Sequence, residues 1–104
     1  MTALFVVRAE VPDEADREAF DNWYRDVHLP RFARTFKADR AWRTWSLTSP
    51  STHVAYYEFE SLARAQAVPQ SPDIKPLIAE FDAAWAGRVT RTRSVEEVVQ
   101  VLTD

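Results

Sequence analysis

Two hydrophobic patterns run along the chain, and they predict where its strands and helices lie. Runs rich in β-branched and aromatic residues predict strands at residues 4–11, 36–47, 53–60 and 89–102. Apolar side chains that recur every three or four residues predict helices at residues 14–29, 61–68 and 71–85. Asp13 and Ser61 are suited to cap the first two helices, and Gly87, the only glycine, suits the end of the third.

The predicted elements follow the order β-α-β-β-α-β over a single domain, residues 1–104. This is the order of an α+β, ferredoxin-like fold with a four-stranded antiparallel sheet and helices on one face. Phe5 and Val7 lie on one side of the first strand, and Leu4 and Val6 lie on the other. A sheet that is apolar on both sides needs a second cover, so we expect a homodimer that packs sheet against sheet.

The first helix contains the stretch DNWYRDVHLPRF (21–32), which holds three aromatic residues and one of the two histidines. At about 100° per residue, His28 lies roughly 80° from Phe20, at the margin of the apolar stripe. Pro30 should kink or end the helix near Leu29 and open a crevice between helix and sheet. A neutral imidazole there is suited to act as a general base near pH 7. The alternative is a structural histidine bonded to a backbone carbonyl.

The composition argues against several kinds of function. The net charge of −3 disfavours nucleic acid as a partner. No apolar run is long enough for a membrane span, so we expect a cytoplasmic protein. Without cysteine there is no thiol chemistry, and a single glycine leaves no phosphate-binding loop for a nucleotide or flavin. Two histidines alone make a poor metal site, and we expect neither a metal nor a cofactor.

Further candidate site residues lie on the strands and on the last helix. His53 is in phase with Tyr57 on the third strand, and it either shares the crevice with His28 or completes a turn. Four tryptophans could line a pocket for a flat hydrophobic ligand, or else belong to the core or an interface: Trp23, Trp42, Trp45 and Trp85. Of these, Trp23 and Trp85 are candidates for substrate binding, together with Phe81. Four arginines on strands could clamp a substrate carboxylate or form surface ion pairs: Arg40, Arg43, Arg91 and Arg93. Our first choices for substrate binding are Arg40 and Arg43.

The motifs NWYRDVHLP (22–30) and VAYYEF (54–59), in this order of elements, resemble the dimeric α+β barrel superfamily and, within it, the EthD-like group. The resemblance covers nearly the whole chain as a pattern, and its specific part is the helical motif around Trp23, Tyr24 and His28. The segment THVAY (52–56) is similar to the strand that supplies a second histidine in muconolactone-methylisomerase-like members. The resemblance implies a cofactor-free homodimer that acts on a hydrophobic, aromatic or polyketide-like small molecule.

Three functions are compatible with this resemblance. The first is a cofactor-independent acid/base enzyme, such as a cyclase, isomerase or dehydratase, with His28 as general base. In that enzyme Tyr24 or Tyr57 would bond the developing enolate, and His53 is a further catalytic candidate. The second is a cofactor-free monooxygenase of phenolic or polyketide substrates. The third is a non-catalytic dimeric binding or stress-associated module, which a crevice without room beside His28 would favour.

Overall fold

A computed structural model describes residues 2–103 and shows one four-stranded antiparallel sheet with helices on one face. The strands of this described part are β1 (Ala3–Glu10), β2 (Arg40–Trp45), β3 (Thr52–Phe59) and β4 (Thr90–Glu97). They are ordered β2-β3-β1-β4, and each pair of neighbours is antiparallel. The predicted α+β, ferredoxin-like fold is therefore confirmed.

Four α-helices connect the strands, and their ends follow the predicted capping residues. They are α1 (Glu14–Trp23), α2 (Leu29–Phe36), α3 (Leu62–Ala67) and α4 (Ile74–Trp85). The Asp13 carboxylate accepts a hydrogen bond from a backbone N–H of α1 at 2.9 Å. The Ser61 hydroxyl does the same for α3 at 3.0 Å. Gly87 follows α4 with φ of 84°, a conformation in which a Cβ would be strained.

The sequence led us to expect that Pro30 would kink or end the helix near Leu29. The helix that carries the histidine motif instead continues past Pro30. A π-helical turn (Tyr24–His28) joins α1 directly to α2, and the Leu29 N–H donates to the Tyr24 carbonyl. In a regular α-helix the Pro30 ring would collide with a carbonyl one turn earlier, and its missing N–H would leave that carbonyl unpaired. The wider turn relieves both problems, so the helix continues to Phe36.

The π-helical turn also explains why His28 is buried, only 5 % exposed, instead of lying at the margin of the apolar stripe. Phe20 and Phe32 are twelve residues apart and would point about 120° apart on a regular α-helix. Both are nevertheless in the core. The extra residue in the wide turn removes roughly 100° of this difference. Tyr24 and His28, which form the ends of that turn, therefore face the sheet with the two phenylalanines.

The register of the sheet assigns each strand residue to one of its two faces. The face under the helices carries Phe5, Val7, Tyr57 and Phe59, all buried. The opposite face, which we call the outer face, carries Leu4, Val6, Trp42, Val54 and Tyr56. The sheet is thus apolar at the centre of both faces, as the strand patterns predicted.

Two strands are shorter than predicted, and each has a physical reason. Phe36 still belongs to α2, because Lys37 adopts the left-handed conformation (φ of 54°) that ends this helix. Strand β2 therefore begins only at Arg40. Strand β4 ends at Glu97 because its partner β1 begins opposite, at Ala3.

Candidate active site between the helices and the sheet

His28 is held by a carboxylate from the neighbouring helix. The π-helical turn directs its ring toward α4, where its Nδ1 lies 3.0 Å from Oε1 of Glu80. The other carboxylate oxygen of Glu80 accepts a hydrogen bond from Arg31. A carboxylate can only accept, so His28 carries its proton on Nδ1 and has a lone pair on Nε2. This is the arrangement in which a histidine is oriented as a base.

The surroundings of His28 keep the ring neutral near pH 7. Burial lowers its pKa below the ordinary 6.5, and the hydrogen bond and charge of Glu80 offset only part of that effect. The ring stacks on Trp23, with 4.8 Å between ring centroids and 16° between planes. Within residues 2–103, no side chain forms a hydrogen bond with Nε2. The nitrogen that could accept a proton is therefore unoccupied by protein groups.

The crevice beside His28 is small. It is lined by His28, Phe32, Phe81, Arg91, Arg93 and four aliphatic side chains, and its volume is about 10 Å³. That is room for about one water molecule. A groove of about 230 Å³ lies between α2 and α4, and Leu77 lines both spaces. A substrate could reach His28 only if side chains such as Leu77 move, and the closed crevice favours a structural histidine more than the sequence did.

Two buried tyrosine hydroxyls beneath the helices lie close to each other. Tyr24 and Tyr57 are both fully buried. Burial raises the pKa of Tyr24 to about 12 and that of Tyr57 well above 10. Both hydroxyls therefore stay protonated and can donate a hydrogen bond. Neither tyrosine lines the small crevice beside His28.

His53 does not complete a turn, one of the two interpretations left open by the sequence. It lies within β3, fully buried, because the turn after β2 ends before Thr52. Its Nε2 accepts a hydrogen bond from Arg43 at 3.2 Å, and Arg43 also donates to Asp21 at 3.0 Å. Burial and then the Arg43 charge lower the pKa of His53 to about 4. With its lone pair engaged, His53 is placed to hold Arg43 and is a poor general base.

The structure brings most of the other predicted site residues to the helix-covered side of the sheet. Phe81 lies 5.7 Å from the His28 ring, and Trp85 packs on Phe20, with 5.2 Å between ring centroids. Arg40 is the exception. It lies on the outer face and pairs with Glu58 at 2.9 Å, away from the crevice that contains His28.

The sequence did not single out Glu80, the partner of His28. Its only signal was an acidic residue placed directly before Phe81 in the apolar pattern of α4. No group of three or more side chains in residues 2–103 is arranged to hold a metal ion. Over the same residues, every helix is too short or too polar to cross a membrane.

Comparison with known proteins identifies similar folds and no close relative. No family model and no curated protein sequence matches the chain. Among solved structures, it is similar to SnoaB, a cofactor-independent oxygenase from Streptomyces nogalater. That match has a TM-score of 0.67 and 16% identity, and covers 99% of this chain and 98% of the other.

Two further solved structures are similar over nearly their whole length. One is an EthD family protein from Bacillus halodurans, with a TM-score of 0.65, 16% identity and coverage of 94% and 100%. The other is a dimeric ferredoxin-like protein from an uncultured marine organism, with a TM-score of 0.62, 16% identity and coverage of 97% and 98%. The resemblance drawn from the sequence motifs is confirmed as a likeness of fold, and identities this low show the fold alone.

Proposed function

We propose that the protein is a cofactor-independent enzyme in which His28 removes a proton from a hydrophobic, aromatic or polyketide-like substrate. The observation that carries this proposal is the hydrogen bond of 3.0 Å from Nδ1 of His28 to Glu80. It fixes the tautomer with the lone pair on Nε2, on a ring whose pKa is lowered by burial. Both properties are those of a general base that is ready to act at neutral pH.

The proposed step breaks a C–H bond next to a carbonyl, or the O–H bond of a phenol. The proton passes to Nε2 of His28, and the electron pair moves onto the substrate oxygen as an enolate or phenolate. Tyr24 or Tyr57 would donate a hydrogen bond to that oxygen, since both hydroxyls stay protonated at neutral pH. His28 would then return the proton at another atom, or to a leaving group. General-base catalysis contributes about 10²–10⁴-fold to such a reaction.

A second candidate is a cofactor-free monooxygenase, which begins with the same deprotonation. The similarity in fold to a cofactor-independent oxygenase favours it as much as the first. Here the enolate or phenolate would reduce molecular oxygen. One oxygen atom would form a new carbonyl on the substrate, and the other would leave as water with the two hydrogens removed.

A third candidate is a non-catalytic binding module, and the narrow crevice supports it. A cavity of about 10 Å³ admits no aromatic substrate as it stands. In this case the hydrogen bond between His28 and Glu80 would serve only to join the π-helical turn to α4. If this candidate is correct, replacement of His28 removes no catalytic activity, because the protein has none.

We also propose that the chain forms a homodimer through the outer face of its sheet. Leu4, Trp42 and Tyr56 are only partly buried there. One solved structure with a similar fold is described as dimeric. A standard interface buries about 800 Å² per partner, which an apolar sheet face of this kind can supply. A cytoplasmic location and a single domain stay predictions from the sequence.

Exchange of carbon-bound substrate protons with solvent separates the two enzymes from the binding module, because it needs only the first step. Aryl ketones and polyketide-like phenols would be incubated in D₂O under argon, and incorporated deuterium measured by NMR. We expect His28→Gln to reduce exchange at least about 100-fold, while Arg40→Gln on the outer face leaves it unchanged. If His28→Gln keeps more than a tenth of the wild-type rate, His28 is not the base.

The same compounds distinguish the two enzymes when air is admitted. Oxygen uptake at an electrode that depends on substrate and on His28 would identify the monooxygenase. Product formation that proceeds equally under argon would identify the acid/base enzyme. Stabilisation against heat by a compound that never exchanges would support the binding module.

A further inference from the structure

Strand β4 directs two arginines into the crevice that contains His28. Arg91 pairs in register with Ala9 and Arg93 with Val7, which places both side chains on the face under the helices. Both line the same cavity as His28. The guanidinium of Arg91 lies 3.8 Å from the ring centroid of Phe81. A cation held over an aromatic face in this way keeps a defined position.

The charges of these two arginines are only partly compensated by protein groups. Arg91, whose side chain is 12 % exposed, donates to Asp82 at 3.1 Å, but that carboxylate is itself 54 % exposed. Within residues 2–103, Arg93 has no acidic partner. Glu80, the nearby acid of α4, is engaged by His28 and Arg31.

The excess positive charge of Arg91 and Arg93 is energetically unfavourable while no anion lies between them. Burial and the neighbouring charge of Arg91 both lower the pKa of Arg93. Two like charges beside an apolar cavity repel each other, and an anion between them would relieve that repulsion. The wall opposite is apolar, formed by Ile74, Ile78 and Phe81. A ligand that suits both walls combines an apolar body with one anionic group.

We propose that this crevice, once side chains such as Leu77 move aside, binds aromatic carboxylates, with the carboxylate held by Arg91 and Arg93 and the apolar body directed toward His28. The planar fork of arginine matches the two oxygens of a carboxylate. The inference deepens the proposed function, because it makes the substrate an aromatic or polyketide-like acid and places its acidic group at β4. It also replaces Arg40, which lies on the outer face, as the clamp for that group.

Binding of a matched pair of probes tests the inference without any need for turnover. The probes are 2-naphthoate and 2-naphthamide, which have similar shape and differ in charge, titrated calorimetrically at fixed ionic strength. We expect the wild-type protein to prefer the carboxylate by about tenfold or more. The double variant Arg91→Gln/Arg93→Gln should bind the two probes about equally.

Two further variants keep the test specific. Arg40→Gln removes an arginine from the outer face and should keep the full preference. The double variant Arg91→Lys/Arg93→Lys retains both charges, so it should keep part of the preference even if the glutamine variant fails to fold. Wild-type protein that binds neither probe, or binds both equally, overturns the inference. An unchanged preference in the glutamine variant overturns it as well.

Failure of this inference can be told apart from failure of the proposed function. His28→Gln should abolish deuterium exchange and keep the preference for naphthoate, since it leaves both arginines in place. Loss of the preference in the arginine variants together with exchange that is independent of His28 would support the carboxylate site alone. Exchange that depends on His28 without any preference for the carboxylate would support the enzyme and remove Arg91 and Arg93 from its substrate site.

Discussion

The buried histidine of β3 makes folding stability depend on pH in a way that can be measured. His53 has a pKa of about 4 in the folded chain, against an ordinary 6.5. As the pH falls below 6.5, the unfolded chain binds a proton that the folded chain does not. The free energy of unfolding therefore decreases as the pH falls from 6.5 toward 4, and it is restored as the pH rises.

The expected size of this effect follows from the gap between the two pKa values. One pH unit corresponds to about 1.4 kcal/mol, so lowering the pH from 7 to 4.5 should cost about 2–3 kcal/mol through His53 alone. His53→Gln offers a control, because its amide oxygen can accept the hydrogen bond of Arg43 and does not titrate. Burial raises the pKa of Asp21, but hydrogen bonds from Trp45 and Arg43 outweigh it and leave that pKa below 3.8. Asp21 therefore stays ionised throughout this range.

Urea unfolding followed by tryptophan fluorescence at pH 7 and pH 4.5 measures the difference. Protein concentration must be the same throughout, because the apparent stability of a dimer depends on it. The wild-type protein should lose about 2–3 kcal/mol more than His53→Gln between the two pH values. The contribution of His28 has the same sign and is present in both proteins. Equal losses in the two proteins would refute the conclusion that His53 is buried in its neutral form and accepts a hydrogen bond from Arg43.

Three other predictions follow from packing and charge. Phe20→Ala should lower the free energy of unfolding by about 3–5 kcal/mol in urea titrations, because Phe20 is fully buried among aromatic rings; a loss below 1 kcal/mol would contradict this packing. Leu4→Lys should give a folded monomer in light scattering, since the dimer would bury a lysine whose cross-strand neighbour Glu58 is already paired with Arg40; a stable dimer would place the interface elsewhere. Glu80→Gln should move the acid limb of the exchange rate to lower pH, because Glu80 raises the pKa of His28 against the larger effect of burial; a shift to higher pH would show that another group controls the limb.

The order of the elements could be predicted from the sequence because each strand and helix has its own period. The errors lie where a tertiary constraint decides a boundary. Phe36 fits the alternation of a strand, yet the helix before it continues because the π-helical turn keeps its apolar side on the core. The end of β4 could not be read from its own residues, since it is set by where β1 begins.

The candidate site was predictable only in the parts that lie within one motif. Trp23, Tyr24 and His28 are neighbours in sequence, and the structure keeps them together. Glu80 reaches the site from fifty-two residues away, and no local pattern marks it. Arg40 and Arg43 are three residues apart on one strand, so alternation alone places them on opposite faces. Which of those faces lies under the helices is fixed only by the register with β3.

The π-helical turn has a consequence for how sequences of this kind can change in length. Phe20 and Phe32 would be eleven residues apart after loss of one residue from the turn, and a regular α-helix would then place them within about 20° of each other. A regular helix does not accommodate Pro30, so the core contacts on both sides of the turn would be kept only if Pro30 were replaced as well. The pair formed by His28 and Glu80 would then be lost, because the wide turn is what directs the imidazole. Homologous chains that are one residue shorter in this segment and lack the proline should therefore share the architecture without the chemistry.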